Sequence, residues 1–222
     1  LKDSYKGAVW TDWPQGARNR EVEFLNERRM QLREVIEFEK FAQYIFFEQW
    51  KSLKKYCNDL GIEIFGDLPI YVTHDSSDVW ANPEMFKLDR DGNPLVVAGV
   101  PPDCFSETGQ LWGNPVYNWE VLKNNSYDWW VQRLRFNLEI MDIMRIDHFR
   151  GFVAAWEVPA GDETAENGCW QSVPGDDFFS KVLKQFPDAS IVAEDLGLIT
   201  DEVRELMNRC EFPGMKILVF AF

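Results

Sequence analysis

The chain has 222 residues, of which 45% are hydrophobic and 15% aromatic, so it can build a substantial core. Its 23 basic and 37 acidic residues leave a net charge of -14, which opposes contact with nucleic-acid backbones and anionic membranes. We therefore expect neither nucleic acid nor a membrane as a partner, and no apolar run is long enough to span a bilayer.

The cysteine and histidine content argues against a disulfide framework and against a zinc site. The four cysteines are far apart and form no CxxC pair, which is typical of reduced thiols in a cytoplasmic protein. The two histidines, His74 and His148, have no acidic or sulfur ligands at a recognisable spacing. The sequence therefore predicts neither a metal site nor a cofactor.

The first half of the chain predicts a long helix, a strand and a long connection. Apolar residues at steps of three and four predict a helix from Glu21 to about Leu60, which Gly61 ends. The run "IEIFGDLPIYV" predicts a strand that turns into loop around Asp67. Residues 73–118 are rich in Asp, Asn, Gly and Pro and predict a long loop, whose aromatic side chains argue against disorder.

The second half alternates helices with short strands. The predicted elements up to residue 186 are a helix capped by Ser126 and ending near Ile140, a strand within "MDIMRID", a loop over 153–175 and a helix from Asp176 to Phe186. The remaining elements are a strand in "SIVAEDLG", a helix capped by Thr200, and a closing strand in "GMKILVFAF".

Strands that alternate with helices predict a parallel sheet with helical crossovers. Three of the four predicted strands end in acidic residues: Asp67, Asp147, and Glu194 with Asp195. In a (β/α)₈ barrel the active site lies at the C-terminal ends of the strands. A doubly wound sheet shares that rule, but no Gly-rich phosphate loop follows any strand here. We therefore expect an α/β fold: the central part of a (β/α)₈ TIM barrel with long inserted loops, with residues 1–222 forming one partial catalytic domain.

Arg145 and Asp147 lie two positions apart at the end of a strand, so their side chains project to the same side. Burial favours a neutral aspartate, whereas an adjacent guanidinium favours the ionised form. A carboxylate kept charged in a confined site can act as a nucleophile. A structural ion pair at a barrel rim fits the same spacing.

Glu194 and Asp195 end another strand, and alternation alone does not say which of them faces inward. A glutamate near a second carboxylate and away from water has a raised pKa and can serve as a general acid. Enzymes that break glycosidic bonds use a pair of carboxyl groups, one ionised and one protonated. Asp–Glu pairs also occur in metal sites, so composition leaves this choice open.

Five blocks carry a family resemblance, namely "GDLPIYVTHDSSDVWANPEMF", "GVPPDCFSETGQLWGNPVYNW", "RIDHFRGF", "IVAEDLG" and "FPGMKILVFAF". In this order they resemble the signature blocks of the 4-α-glucanotransferases, also called amylomaltases or disproportionating enzymes. The resemblance runs from about Trp10 to Phe222. "RIDH" is shared with the wider α-amylase clan, whereas the loop block with "GQLWGNP" is far more specific.

The resemblance implies a retaining transfer reaction without a cofactor. It implies that Asp147 attacks the anomeric carbon to form a covalent β-glucosyl-enzyme, and that Glu194 is the acid/base. It also implies four substrate-site residues: Asp67 in the inner charge network, Arg145 holding Asp147 ionised, His148 at a sugar hydroxyl and Trp112 as a stacking wall. The implied partners are maltooligosaccharides or α-1,4-glucan, with glucose as product or acceptor.

Two departures from the family pattern matter. Cys104 stands where the family commonly has tyrosine in "PPDYFS", which removes an aromatic from the tip of a loop. The family's third carboxylate, an aspartate preceded by histidine on a later strand, belongs to a block that the sequence does not reach by Phe222, so we expect a central fragment that is inactive alone. The alternatives are an α-amylase-type glycoside hydrolase and a non-catalytic glucan-binding fragment.

Overall fold

The computed structural model describes residues 1–104 and 106–218, in which helices surround two separate β-sheets. The helices are α1 Gln15–Arg18, α2 Val22–Gln31, α3 Arg33–Asp59, α4 Ser77–Ala81, α5 Trp119–Asn124, α6 Asp128–Ile140, α7 Gly175–Gln185 and α8 Asp201–Cys210. The strands are β1 Phe65–Leu68, β2 Val96–Val100, β3 Gln110–Pro115, β4 Ile143–Ile146, β5 Ala154–Pro159, β6 Cys169–Ser172 and β7 Ile191–Ala193.

The first sheet is parallel and has the order β1-β4-β7. Its register places Asp67 beside Arg145, and Arg145 beside Val192. Helix α6 leads into β4 and α7 leads into β7, which is the helical crossover that the alternating pattern predicts. Because the three strands are parallel, their C-terminal ends meet at one edge, and all the acidic strand ends lie there.

The second sheet is antiparallel and has the order β3-β2-β5-β6. It overturns the two predicted loops, because β2 and β3 lie within residues 73–118, and β5 and β6 lie within residues 153–175. These strands pair across long sequence separations, as Val97 does with Val158. Gly99 permits a close approach of β3, since a Cβ there would lie 2.4 Å from the backbone oxygen of Gln110.

Three predicted element boundaries were wrong. The long helix divides at Leu32 into α2 and α3, and neither helix buries a side chain among the described residues. Ser126 does not cap α6; the N-cap is Tyr127, and both residues adopt positive φ angles. The predicted closing strand is absent over residues 214–218, and its last part, residues 219–222, lies outside the described residues.

The aromatic residues mainly build the core. Phe149, Phe152, Phe178 and Phe179 are at most 1% exposed and contact one another at centroid distances from 4.8 to 5.9 Å. Such clusters contribute both buried area and specific ring geometry. Phe149 and Phe152 belong to the short 3₁₀ helix Phe149–Phe152, so the core anchors the segment that directly follows the C-terminal end of β4. No helix in the described part of the chain is both long enough and apolar enough to cross a membrane.

Candidate active site

A cleft of about 630 Å³ opens at the C-terminal ends of β4 and β7. Six of the side chains that line it are those of Trp112, Asp147, His148, Arg150, Trp170 and Glu194. The carboxylates come from the parallel sheet and the tryptophans from the antiparallel sheet, so both sheets contribute walls.

Arg145 binds two carboxylates. Its Nη1 donates to Oδ2 of Asp67 at 2.7 Å, and its Nη2 donates to Oδ1 of Asp147. The backbone sets this arrangement, because Asp67 pairs with Arg145 in the β1–β4 register and the N–H of Asp147 donates to the Leu68 carbonyl at 3.0 Å. The guanidinium therefore bridges the two carboxylates through charge-assisted hydrogen bonds. Among the described residues that line the cleft Arg145 is present and Asp67 is not, so Asp67 is connected to the cleft through its bond to Arg145.

Glu194, rather than Asp195, faces this network. The β4–β7 register puts Arg145 beside Val192, and alternation then places Glu194 on the same face. Glu194 is 9% exposed; its Oε2 accepts the N–H of His148 and its Oε1 the N–H of Leu196, each at 2.9 Å. The carboxylate of Asp195 instead accepts the N–H of Met215 at 2.7 Å, away from the cleft.

The electrostatics of Glu194 favour its protonated form. Burial raises the pKa of Glu194, and the charge of Asp147 raises it further. The backbone N–H bonds and the charge of Arg145 oppose these effects, but the pKa stays above its ordinary value. A carboxyl group whose pKa is raised by burial is suited to act as a general acid.

His148 joins the two walls of the cleft. Its backbone is left-handed, with φ 48° and ψ 55°, and from this conformation its N–H donates to Glu194. Its ring meets the ring of Trp112 edge-on at a centroid distance of 4.8 Å. Burial, with a smaller effect from Arg150, lowers the pKa of His148 to about 4, so the imidazole is neutral at neutral pH.

Trp112 lies on β3 as a partly buried wall of the cleft. Its Nε1 donates to Oε1 of Gln110 at 3.1 Å, and its ring packs 6.2 Å from that of Tyr71. A tryptophan that packs on one side and opens onto a cleft on the other is suited to contact a ligand.

Arg150 and Trp170 also line the cleft, although the sequence interpretation assigned neither of them a role. Trp170 belongs to β6, inside the segment predicted as loop, so no pattern singled it out. Arg150 did carry a signal, because it is a lone charge between aromatic residues in "HFRGF". Cys104 is exposed and free, and the adjoining residue 105 lies outside the described part of the chain.

Within residues 1–104 and 106–218, no three His, Cys, Asp or Glu side chains cluster closely enough to hold a metal ion. The cleft presents carboxylates, cations and aromatic rings. Their arrangement, with one carboxylate held by an arginine and one buried with a raised pKa, matches the requirements of glycoside chemistry.

The sequence model of the 4-alpha-glucanotransferases matches residues 1–222. The chain belongs to the 4-alpha-glucanotransferase family. It is 52% identical over 223 residues to the 4-alpha-glucanotransferase of Streptococcus pneumoniae, covering 100% of this chain and 44% of that protein. It is 45% identical over 222 residues to the chloroplastic/amyloplastic enzyme of Solanum tuberosum, covering 100% of this chain and 38% of that protein.

A solved structure extends the family match to the fold. The amylomaltase of Streptococcus agalactiae in complex with acarbose superposes with a TM-score of 0.95 at 45% identity, over 100% of this chain and 45% of that one. The prediction of a central part of a (β/α)₈ barrel with inserted segments is confirmed. The chain spans less than half the length of the curated relatives described above.

Proposed function

We propose that the protein is a retaining 4-α-glucanotransferase, which transfers α-1,4-glucan segments between maltooligosaccharides with glucose as product or acceptor. One observation carries the proposal: a buried Glu194 lies in the same cleft as an Asp147 that Arg145 binds. Family membership supports the substrate class. We further propose that residues 1–222 belong to one catalytic domain, of which they supply the central part of the barrel.

The position of the two carboxylates at the ends of neighbouring strands supports retention of configuration. Asp147 and Glu194 follow neighbouring parallel strands, and the N–H of Glu194 donates to the carbonyl of Ile146 at 3.0 Å. Neighbouring strands lie about 4.8 Å apart. Retaining enzymes hold their two carboxyl groups roughly 5–5.5 Å apart, which leaves no room for a water between carboxylate and sugar.

In the first step, Asp147 attacks the anomeric carbon as the glycosidic bond breaks, and a β-glucosyl ester forms. Glu194 gives its proton to the departing glycosidic oxygen, so the leaving glucan carries a free hydroxyl. The raised pKa of Glu194 supports this role, because the acid has to be protonated before the reaction begins.

In the second step, the ester has consumed the negative charge of Asp147. One of the causes that raise the pKa of Glu194 is then gone, so Glu194 ionises more readily. As a base it takes the proton of an acceptor 4-hydroxyl, whose oxygen attacks the anomeric carbon and releases Asp147. Two inversions return the α configuration.

The other site residues hold the sugar and the charges. We propose that Arg145 keeps Asp147 ionised and uses Asp67 as its second partner. The neutral imidazole of His148 can exchange a hydrogen bond with a sugar hydroxyl without bringing a positive charge to the anomeric centre. Trp112 offers a ring for the apolar face of a glucose unit. The free cysteines fit the reducing cytoplasm that we propose as its location.

The decisive assay is disproportionation of maltotriose by the complete polypeptide that carries these 222 residues. We expect glucose together with maltopentaose and longer chains, separated by chromatography. An α-amylase-type hydrolase would give only shorter products. A non-catalytic glucan-binding protein would bind maltotriose or acarbose and leave it unchanged.

A further inference from the structure

Arg150 is a buried charge that the proposed chemistry does not use. It is 8% exposed, and its Nη1 donates to the carbonyl of Leu198. Its Nε has no hydrogen-bond partner among the described residues, and within them no carboxylate lies within ion-pair distance of it. A guanidinium carries five N–H donors, and a buried cation normally has its donors satisfied. The Nε of Arg150 is enclosed by protein, so the donors that Arg150 brings to the wall of the cleft are the Nη N–H groups that are not bonded to Leu198.

Trp170 makes a rigid pair with Arg150. The guanidinium carbon lies 3.8 Å from the centre of the Trp170 ring, a close cation–π contact. Trp156 supports the indole from beside it at a centroid distance of 5.2 Å, and Nε1 of Trp156 is bonded to the Ala165 carbonyl at 2.9 Å. The pair is thus held in place before any ligand binds.

The position of the pair identifies the side of the cleft it serves. Glu194 protonates the departing oxygen in the proposed mechanism, so the leaving glucan lies on the side of Glu194. The segment Leu196–Leu198 follows Glu194 directly and lines the cleft, and Arg150 is bonded to its last carbonyl. Asp67 and Arg145, whose charges lie on the side of the cleft that would bind the donor glucan, are on β1 and β4 instead.

We propose that Arg150 and Trp170, with the apolar side chain of Leu198, form a binding subsite for the acceptor glucan. Sugar hydroxyl oxygens accept hydrogen bonds from the remaining Nη N–H groups of Arg150, and apolar parts of the sugar contact Leu198 and the part of the indole that the guanidinium does not cover. This inference rests on the proposed function. Nothing on this side needs a charged ligand, because a guanidinium binds neutral hydroxyls as well as anions.

Such a subsite decides between transfer and hydrolysis. The glucosyl ester reacts with whichever nucleophile reaches it, and water is always present. Holding the acceptor hydroxyl beside the ester raises its effective concentration, which favours transfer. The pair therefore affects the second step and leaves formation of the ester largely unchanged.

The test separates these two steps in the complete polypeptide with α-maltotriosyl fluoride as donor and maltose as acceptor. Fluoride release in single turnover reports formation of the ester, and chromatography reports the ratio of transfer to hydrolysis. For Trp170→Ala and Arg150→Lys, we expect the maltose concentration that gives half-maximal transfer to rise by roughly 10- to 100-fold, the range for losing one aromatic contact. Fluoride release should stay within about threefold of the original protein.

Trp50→Phe is the matched control, because Trp50 lies on α3, donates to the carbonyl of Ile140 at 2.9 Å and is outside the residues that line the cleft. It should lower the melting temperature while leaving the ratio of transfer to hydrolysis near its original value. Unchanged maltose dependence in both test variants, or a parallel loss of fluoride release, would overturn the subsite alone. An original protein that releases fluoride but never transfers would overturn the proposed function, and the subsite with it.

Discussion

The two sheets divide the work of the cleft. The parallel sheet places Asp67, Arg145, Asp147 and Glu194 at adjoining strand ends, where ladder hydrogen bonds set their spacing. The antiparallel sheet contributes Trp112 and Trp170, whose rings are held by side-chain packing. The groups proposed to make and break bonds thus lie at the ends of the parallel strands, and the aromatic groups proposed to contact sugar lie on the antiparallel sheet. Changes in the first sheet should alter rate by orders of magnitude, and changes in the second should alter binding.

Asp147→Asn tests whether the chemistry depends wholly on the parallel sheet. We expect maltotriose transfer to fall by roughly four orders of magnitude or more, because asparagine cannot form the glucosyl ester. The melting temperature should change little, because Arg145 keeps Asp67 as a partner and the ion pair with Asp147 is partly exposed. Transfer within tenfold of the original rate would remove Asp147 from the mechanism.

Glu194→Gln tests the second carboxylate of that sheet. With maltotriose as donor we expect a loss of roughly 10²- to 10⁴-fold, the usual contribution of a general acid. With a glucosyl fluoride the loss in ester formation should be much smaller, because fluoride departs with little help from an acid. Asp195→Asn is the matched control and should show no such dependence on the donor, because Asp195 binds Met215 outside the cleft. Equal losses of rate with both donors would mean that a residue other than Glu194 is the general acid.

The parallel sheet could be predicted from the sequence to a large extent. Apolar runs that end in charge marked the ends of β1, β4 and β7, and α7 begins and ends within one residue of its prediction. The local sequence pattern could not show whether Glu194 or Asp195 faces the cleft, because this depends on which residue of β4 lies beside Val192. Only long-range pairing supplies that information.

The antiparallel sheet could not be predicted, for a physical reason. Its strands carry Gly, Pro, Asn and Gln, as in "QLWGNP", so they lack the apolar alternation that marks a half-buried strand. Their stability comes from partners distant in sequence, such as Val97 with Val158. The position of Trp112 in the cleft was inferred from family resemblance, and that of Trp170 from the structure alone.

Trp112→Ala tests the role of the antiparallel sheet. If Trp112 stacks on glucose, kcat/KM for maltotriose should fall by the equivalent of roughly 1–3 kcal/mol. The partly buried ring should cost less folding stability than a fully buried one such as Trp130, whose truncation would cost about 3–5 kcal/mol. Kinetics and a thermal melt on the same preparation distinguish the roles. A large drop in melting temperature with unchanged kcat/KM would make Trp112 a core residue and weaken the contrast between the sheets.

The smallest effect concerns His148, which belongs to both regions at once. Its N–H binds Glu194 of the parallel sheet, and its ring contacts Trp112 of the antiparallel sheet. The folded pKa of about 4 lies below the ordinary value of 6.5. Between these two pH values the unfolded chain binds the proton more readily, so the free energy of unfolding should fall as the pH drops through this window. Below pH 4 His148 is protonated in both states, so it lowers the free energy of unfolding no further.

His148→Asn should remove this component, because asparagine does not titrate and tolerates the left-handed backbone with φ 48°. At pH 7 the two proteins should have similar stability. From pH 6.5 to pH 4 the free energy of unfolding of the original protein should fall by about 1 kcal/mol more than that of the variant. This difference is smaller than the one a fully buried imidazole would give, because the ring is partly exposed and solvent screens its charge. Urea unfolding across that range measures the difference, in which acid effects from the many carboxylates cancel. Parallel pH profiles would mean that the ring of His148 is not held between the two sheets in solution.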